Sequence, residues 1–282
     1  MEEPLPEVDA RIRDLFFGYD RALPFNAVER DLGVSEGVHV LHFAIDSTHG
    51  QRVPGLLWIA ENAPPSLPLI VLQHGAGSRK EDPYISLTAQ RWARDGFAVA
   101  AIDAAGNGER RTRPFDPALI WSLPWQRRDH AIQMCVDLHR ALDYLAGRPE
   151  VDVTRAGYVG FSMGTINGVA FVARDPRVRA AVFCIGGARL HELRVVGQDP
   201  ALAREHALVA RIIDPEHFAP LIAPRPVLMI NGRQDEVVPP AAAEALYVAL
   251  NEPKQIVWYD GGHTDLRGQH FKLMEAFLRE HL

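Results

Sequence analysis

Cysteine is scarce in this chain of 282 residues. Cys135 and Cys184 are too few for a disulfide framework and lack metal-ligand spacing, so both are expected to stay reduced and buried. Long hydrophobic runs are missing too, since none approaches the roughly 18 uncharged apolar residues that spanning a bilayer needs. The first residues, "MEEPLPEVDARIRD", are acidic where a secretory signal carries a basic segment followed by an apolar one. The expectation is a cytoplasmic protein with no membrane partner. There is no basic excess: a formal net charge of −6 and the lack of a long basic stripe oppose binding to a phosphate backbone, so nucleic acid is not an expected partner.

Cofactor signatures are absent as well. "AIDAAGNGERRTRPF" contains Gly106 and Gly108 but does not complete a Gly-x-Gly-x-x-Gly dinucleotide motif, and no Gly-Lys-Ser/Thr phosphate loop occurs. His130, His139, His191, His206 and His217 show no ligand spacing such as His-Glu-x-x-His. Neither a cofactor nor a catalytic metal is expected. Solenoid repeats and low-complexity segments are missing too.

What is present is an ordinary soluble balance, 47% apolar and 23% charged. The length fits one large α/β domain or two small ones, and the expectation is one, spanning 1–282. Residues Val8 to Val34 read as one or two helical pieces interrupted at Pro24, giving a helical amino-terminal extension over 1–37 that could cap a pocket or form a homodimer contact. "VHVLHFAI" and "RVPGLLWIA", separated by the turn-like "DSTHGQ", predict an antiparallel hairpin at one end of a sheet.

After "NAPPSLP", short apolar runs alternate with helical patterns. Strands are predicted at "LPLIVLQH", "FAVAAID", "AGYVGF", "AAVFCIG", "RPVLMING" and "KQIVWYD". Helices are predicted over Tyr84 to Asp95, Gln126 to Ala146, Met163 to Arg174, Pro240 to Leu250 and Leu266 to the end. Near-continuous apolar strands alternating with helices imply an α/β fold: a mostly parallel twisted sheet of about eight strands, covered on both faces. The stretch over 188–223 is long for a crossover, and "DPALAREHALVARII" within it is helical in pattern, which makes it a candidate lid.

The chemistry centres on "YVGFSMGT". Ser162 stands between Gly160 and Gly164, after an apolar run and before a helical pattern, where the glycines leave room for a sharp reversal that projects the hydroxyl above the sheet. Taken alone, the pentad fits a serine N-cap in a glycine-rich turn equally well. Its partners weigh against that. "RPVLMING" runs into "RQDEVVPP", placing Asp235 on a loop leaving a strand, and "KQIVWYDGGHTD" supplies His263 behind Gly261 and Gly262. A serine hydroxyl is a weak nucleophile that needs a base, and the base needs a carboxylate to fix its tautomer. Upstream, "LIVLQH" enters "HGAGSRKED", where Gly75 and Gly77 permit a turn that directs the Ala76 amide at a carbonyl oxygen. The Met163 amide would be its partner in an oxyanion hole. His74 is expected to brace this turn by hydrogen bonds.

The ensemble resembles the α/β-hydrolase superfamily from about Val38 onward. The matching residues are His74, Gly75, Ala76 and Gly77 as oxyanion loop, Gly160 to Gly164 as nucleophile elbow, Asp235 as acid and His263 as base. Within it, "ALDYLAGRPEVDVTRAGYVGFSMGT" and "IAPRPVLMINGRQDEVVP" are similar to dienelactone-hydrolase-like and acetyl-xylan-esterase-like carboxylesterases. Dienelactone hydrolases proper use a cysteine where this chain has Ser162. That departure removes the reason to expect a dienelactone substrate, and the resemblance implies a cofactor-free serine esterase acting on small-molecule esters, short-chain ones among them.

Three readings stay open. Trp121 and Trp125 could wall an acyl or sugar pocket or pack beneath their loop. Arg110, Arg111 and Arg113 form either a solvated cluster, the preferred reading, or an attraction for an anionic substrate. A serine peptidase or amidase shares the same triad, and a non-catalytic binding protein could keep the same pocket.

Overall fold

The computed structural model describes residues 7–112, 114, 123–189, 191 and 202–282. Nine strands form one sheet: β1 (Val28–Ser35), β2 (Val38–Asp46), β3 (Arg52–Ala60), β4 (Leu67–Gln73), β5 (Ala98–Ile102), β6 (Val151–Phe161), β7 (Val178–Cys184), β8 (Val227–Gly232) and β9 (Lys254–Tyr259). Their spatial order is β1-β2-β3-β5-β4-β6-β7-β8-β9. β1, β2 and β3 are antiparallel, β3 joins β5 antiparallel, and every pairing from β5 to β9 is parallel.

Side-chain alternation along the central strands builds two cores. Leu69 and Val71 of β4, Ala98 and Ala100 of β5, and Ala156 and Tyr158 of β6 face one layer. Their neighbours Ile70, Leu72, Val99, Ala101, Val159 and Phe161 face the other. The first layer is closed by helices α3 (Pro124–Leu145), α4 (Met163–Arg174) and α6 (Pro240–Ala249), the second by α2 (Pro83–Arg94) and α7 (Gly268–His281). Helices α2, α3 and α6 begin on proline, whose fixed φ suits the first turn and whose missing N–H would be unpaired there anyway. The parallel strands carry near-continuous apolar sequence because both faces are buried.

The mostly parallel sheet matches the expected fold, with nine strands for about eight, and one expectation needs correction. The amino-terminal extension is not helical throughout: a short helix α1 (Ala10–Phe16) is followed by β1, which lies outside the predicted hairpin. All eight residues of β1 are exposed. With neither face buried, apolar and polar residues have no reason to alternate, and backbone pairing to β2, with Glu29 held by Tyr144 and Arg148, keeps this segment a strand. The rest of the extension is fastened to α3, where the buried Arg140 guanidinium donates to Leu23 O at 2.6 Å and lies 4.2 Å over the Phe25 ring.

Within the candidate lid, residues 190 and 192–201 lie outside the described residues. The remainder forms α5 (Ala203–Ile213), packed on α3, and two short 3-10 turns packed on α4. Cys135 and Cys184 are free and buried, and burial pushes both thiol pKa values up, away from reactivity. No helix among the described residues is long and apolar enough to cross a membrane.

Candidate active site

Ser162 is the single residue between β6 and α4, and its backbone sits at φ +52°, ψ −113°. That region is unfavourable for any residue with a Cβ and is found where surrounding packing over-determines the turn. Here the packing is visible. A Cβ on Gly160 would lie 2.6 Å from the Gly164 backbone, and one on Gly164 would lie 2.3 Å from Gln73 O, so strand, turn and helix meet at van der Waals contact only because both are glycine. Tyr158 reaches across to donate to Gly164 O at 2.6 Å, through space that a side chain on Gly168 would fill. The Thr165 hydroxyl lies 2.7 Å from Gly160 O and 2.8 Å from Cys184 O.

The sheet runs β6-β7-β8-β9 in parallel, so the loops leaving the carboxyl ends of β8 and β9 open at the same edge as Ser162. Gly232 lets the two loops touch, since a Cβ there would stand 2.5 Å from Gly261 O, and Gln234 N–H donates to that same carbonyl at 3.0 Å. The result is a continuous relay. His263 Nε2 lies 2.9 Å from Ser162 Oγ and its Nδ1 lies 2.7 Å from Asp235 Oδ2. Asp235 is buried, and its other oxygen accepts the Val237 and Val238 amides at 2.9 and 2.8 Å. An acceptor-only carboxylate on Nδ1 favours the tautomer that leaves Nε2 free to accept from the serine.

Facing this relay is the turn after β4. Gly75 N–H donates to Tyr84 Oη at 3.0 Å and Gly77 N–H donates to Asn107 Oδ1 at 2.8 Å. Among the described residues neither the Ala76 amide nor the Met163 amide at the start of α4 has an acceptor. His74 is wholly buried, its Nδ1 donating to Gly75 O at 2.7 Å and its Nε2 accepting from Ala104 N–H at 3.1 Å. Burial is the largest influence on it and holds its pKa below the ordinary histidine value.

Behind the turn, Lys80 is fully buried against Asp103 (2.8 Å), Glu81 (2.7 Å) and Glu109. Burial works against its charge, but the carboxylate hydrogen bonds outweigh that and raise its pKa. These three carboxylates also converge closely enough to hold a metal ion. The Lys80 ammonium contacts all three, so with it they form a buried ion network behind the turn.

The cleft beside Ser162 has a volume of about 490 Å³ and is bounded by Gly75, Ala76, Tyr84, Phe161, His263 and Phe271 among others. Trp125 is not on its wall: it stands 47% exposed at the start of α3, and Trp121 lies outside the described residues. The walls instead come from Tyr84, Phe161, Ile185, Val237, Leu266 and Phe271, none of them selected from sequence. Described residues of the 188–223 segment and of the amino-terminal extension do not line it either. Arg110 is not part of a solvated cluster. Its side chain is buried and donates to Asp137 at 2.6 Å, while Arg111 donates to Gly77 O and Arg113 lies outside the described residues.

The dienelactone hydrolase family profile matches residues 53–267, three quarters of the chain. The chain is 26% identical over 222 residues to an uncharacterized protein of Mycobacterium tuberculosis, covering 78% of this chain and 71% of that one. Among solved structures, an acetyl xylan esterase from a Paenibacillus species superposes with a TM-score of 0.79 at 23% identity, covering 96% of this chain and 92% of that chain. Acetyl xylan esterase 1 from a Thermoanaerobacterium species gives 0.79 at 21%, covering 98% and 94%. At that identity the likeness establishes the shared α/β-hydrolase fold.

Proposed function

The chain belongs to the dienelactone hydrolase family of hydrolases, and on that premise we propose that it is a serine carboxylesterase whose nucleophile is Ser162. The observation that carries the reading is the Asp235–His263–Ser162 relay, with contacts of 2.7 and 2.9 Å, opposite two amides that have no acceptor among the described residues.

In the proposed reaction Ser162 Oγ attacks the ester carbonyl carbon while His263 Nε2 takes the hydroxyl proton. The carbonyl oxygen, now an oxyanion, sits against the Ala76 and Met163 amides, whose individual worth in such sites is about 10²–10³ in turnover. Collapse of the tetrahedral adduct breaks the bond to the alkoxy oxygen, and His263 returns its proton to that leaving group. Water then enters, His263 removes a proton from it as its oxygen attacks the acyl carbon, and the second adduct collapses by breaking the acyl–Oγ bond while His263 returns that proton to Ser162 Oγ, releasing the carboxylic acid. Asp235 holds the imidazole tautomer and stabilises the imidazolium in both halves.

The reading departs from the family's name because the nucleophile is a serine. The test is hydrolysis of p-nitrophenyl acetate, butyrate and octanoate by the wild type and by Ser162→Ala, each checked for folding by circular dichroism. Turnover that vanishes in the folded variant is the expected result; equal rates in both would overturn the assignment.

A further inference from the structure

Ile185, the first residue after β7, lines the cleft beside Ser162 and has φ +46°. This is among the least favourable conformations for a β-branched residue, and glycine would adopt it freely. The chain cannot relax there because four successive residues are pinned. Ile185 N–H donates to Ile230 O at 2.9 Å, the buried Asn231 side chain donates to Gly186 O at 2.9 Å, and Ala188 N–H donates to Ala242 O at 3.0 Å. A Cβ on Gly186 would lie 2.2 Å from Thr165 Cγ2, and one on Gly187 would lie 2.6 Å from the Ala242 backbone. Strain held in this way, at a site wall, points to a use for the side chain.

Its surroundings identify that use. Tyr84 and Phe161 meet edge to face at 5.2 Å, and Phe161 and Phe271 lie 6.0 Å apart, so three rings floor the cleft beside Ile185, with Val237 and Leu266 completing the wall. Ser78 is a polar neighbour, but its hydroxyl is engaged by Tyr84 and Asp82. Among the described lining residues there is no lysine, arginine, aspartate or glutamate. An aliphatic chain entering here loses water and meets a mostly apolar wall, on which, among the described residues, Thr264 is the one further polar side chain besides Ser78, Tyr84 and the Ser162–His263 pair. Away from the reacting centre a carboxylate would meet no lysine or arginine among these residues, and the several hydroxyls of a sugar ring would find few partners.

We propose, resting on the serine-esterase reading, that the site takes uncharged esters carrying a linear aliphatic chain longer than acetyl, and that Ile185 and Phe271 determine the chain length accepted. The chain can belong to the acyl or to the alkoxy side of the ester, so two substrate series separate the sources: p-nitrophenyl acetate, butyrate, hexanoate and octanoate, and ethyl, butyl and hexyl acetate.

Each methylene taken out of water is worth roughly fourfold in kcat/KM, so butyrate, two methylenes longer, is expected to exceed acetate by about fifteenfold, or butyl acetate to exceed ethyl acetate similarly. Ile185→Gly and Phe271→Ala should flatten that gradient, and Ile185→Val, which keeps the branched wall, should restore most of it. A second readout is independent of substrate: Ile185→Gly should melt no lower than Ile185→Ala, the reverse of the usual order, because alanine retains the unfavourable φ. A folded enzyme that depends on Ser162 but shows flat or acetate-favouring profiles in both series would overturn the chain-length proposal and leave the esterase standing. A gradient unchanged in Ile185→Gly and Phe271→Ala would overturn the roles of those residues. Absence of turnover on every ester would overturn the underlying reading as well.

Discussion

The side-chain carbonyl of Asn107 accepts the Gly77 amide at 2.8 Å across 30 residues of sequence. With Tyr84 accepting the Gly75 amide at 3.0 Å, the amides on either side of Ala76 are tied back, and the Ala76 amide is the one left without an acceptor among the described residues. Preorganisation of this kind is what makes a backbone donor useful: the amide need not reorient when charge develops on the substrate oxygen.

The first prediction follows from that pinning. Asn107→Ala releases the Gly77 amide, and Tyr84→Phe removes the acceptor for the Gly75 amide. Each should lower kcat by about tenfold or more with a smaller change in KM, since the lost alignment matters most in the transition state. Steady-state kinetics on p-nitrophenyl butyrate separate the two parameters, and a pure KM effect would contradict the role given to these residues.

A second prediction concerns the relay. Asp235→Asn replaces an acceptor-only oxygen pair with an amide that can present N–H to His263 Nδ1, favouring the wrong imidazole tautomer. Turnover should fall by about 10⁴-fold while the fold is retained, because the two backbone amides that Asp235 accepts can still bond to the amide oxygen. Ester kinetics and circular dichroism check both halves of the statement.

The third prediction is packing without chemistry. Gly164→Ala would place a Cβ 2.3 Å from Gln73 O, a backbone atom that cannot swing aside. Overpacking of this kind should cost about 1–3 kcal/mol or more, read as a lower urea midpoint. Gly33→Ala, where nothing lies within 4 Å but φ is +83°, isolates the conformational share of such a cost in an exposed strand.

Acidification supplies a fourth prediction. Burial keeps His74 neutral by lowering its pKa, and burial lowers those of His217 and His270 too. In the unfolded chain a histidine takes up its proton near about pH 6.5, so below that value the unfolded state binds more protons than the folded one. The stability contributed by the neutral rings is complete above pH 6.5 and is lost as pH falls towards their folded pKa values. The urea midpoint should therefore drop between pH 7.5 and 5.5, and the drop should be shallower in His74→Gln, which removes one of the three shares.

The features legible in sequence were those whose signal is local. Ser162, Asp235 and His263 each follow an apolar strand and stand among turn residues, so the strand-loop pattern marks all three without knowledge of their partners. Asn107 carries no such mark, because its acceptor role exists only once β4 and β5 lie side by side. Trp121 and Trp125 stand out in sequence as large aromatics, whereas Tyr84, Phe161 and Phe271 reach the cleft from a helix start, a strand end and the last helix. Sequence periodicity does not say which end of a buried face a ligand meets. The strain at Ile185 is a property of backbone angles imposed by neighbours, and nothing in "FCIGGA" announces it. β1 carries no strand signal, because an exposed edge strand has no buried face to impose alternation.

The central claim is that Ser162 forms a covalent bond with substrate. The most direct measurement is intact-protein and peptide mass spectrometry after brief treatment with a fluorophosphonate probe, comparing wild type, Ser162→Ala and His263→Ala. One adduct per chain is expected on the peptide containing Ser162, none in Ser162→Ala, and slowed labelling in His263→Ala, where the hydroxyl has lost its base. Labelling that persists in Ser162→Ala, or a folded wild type that takes up no probe, would contradict that claim.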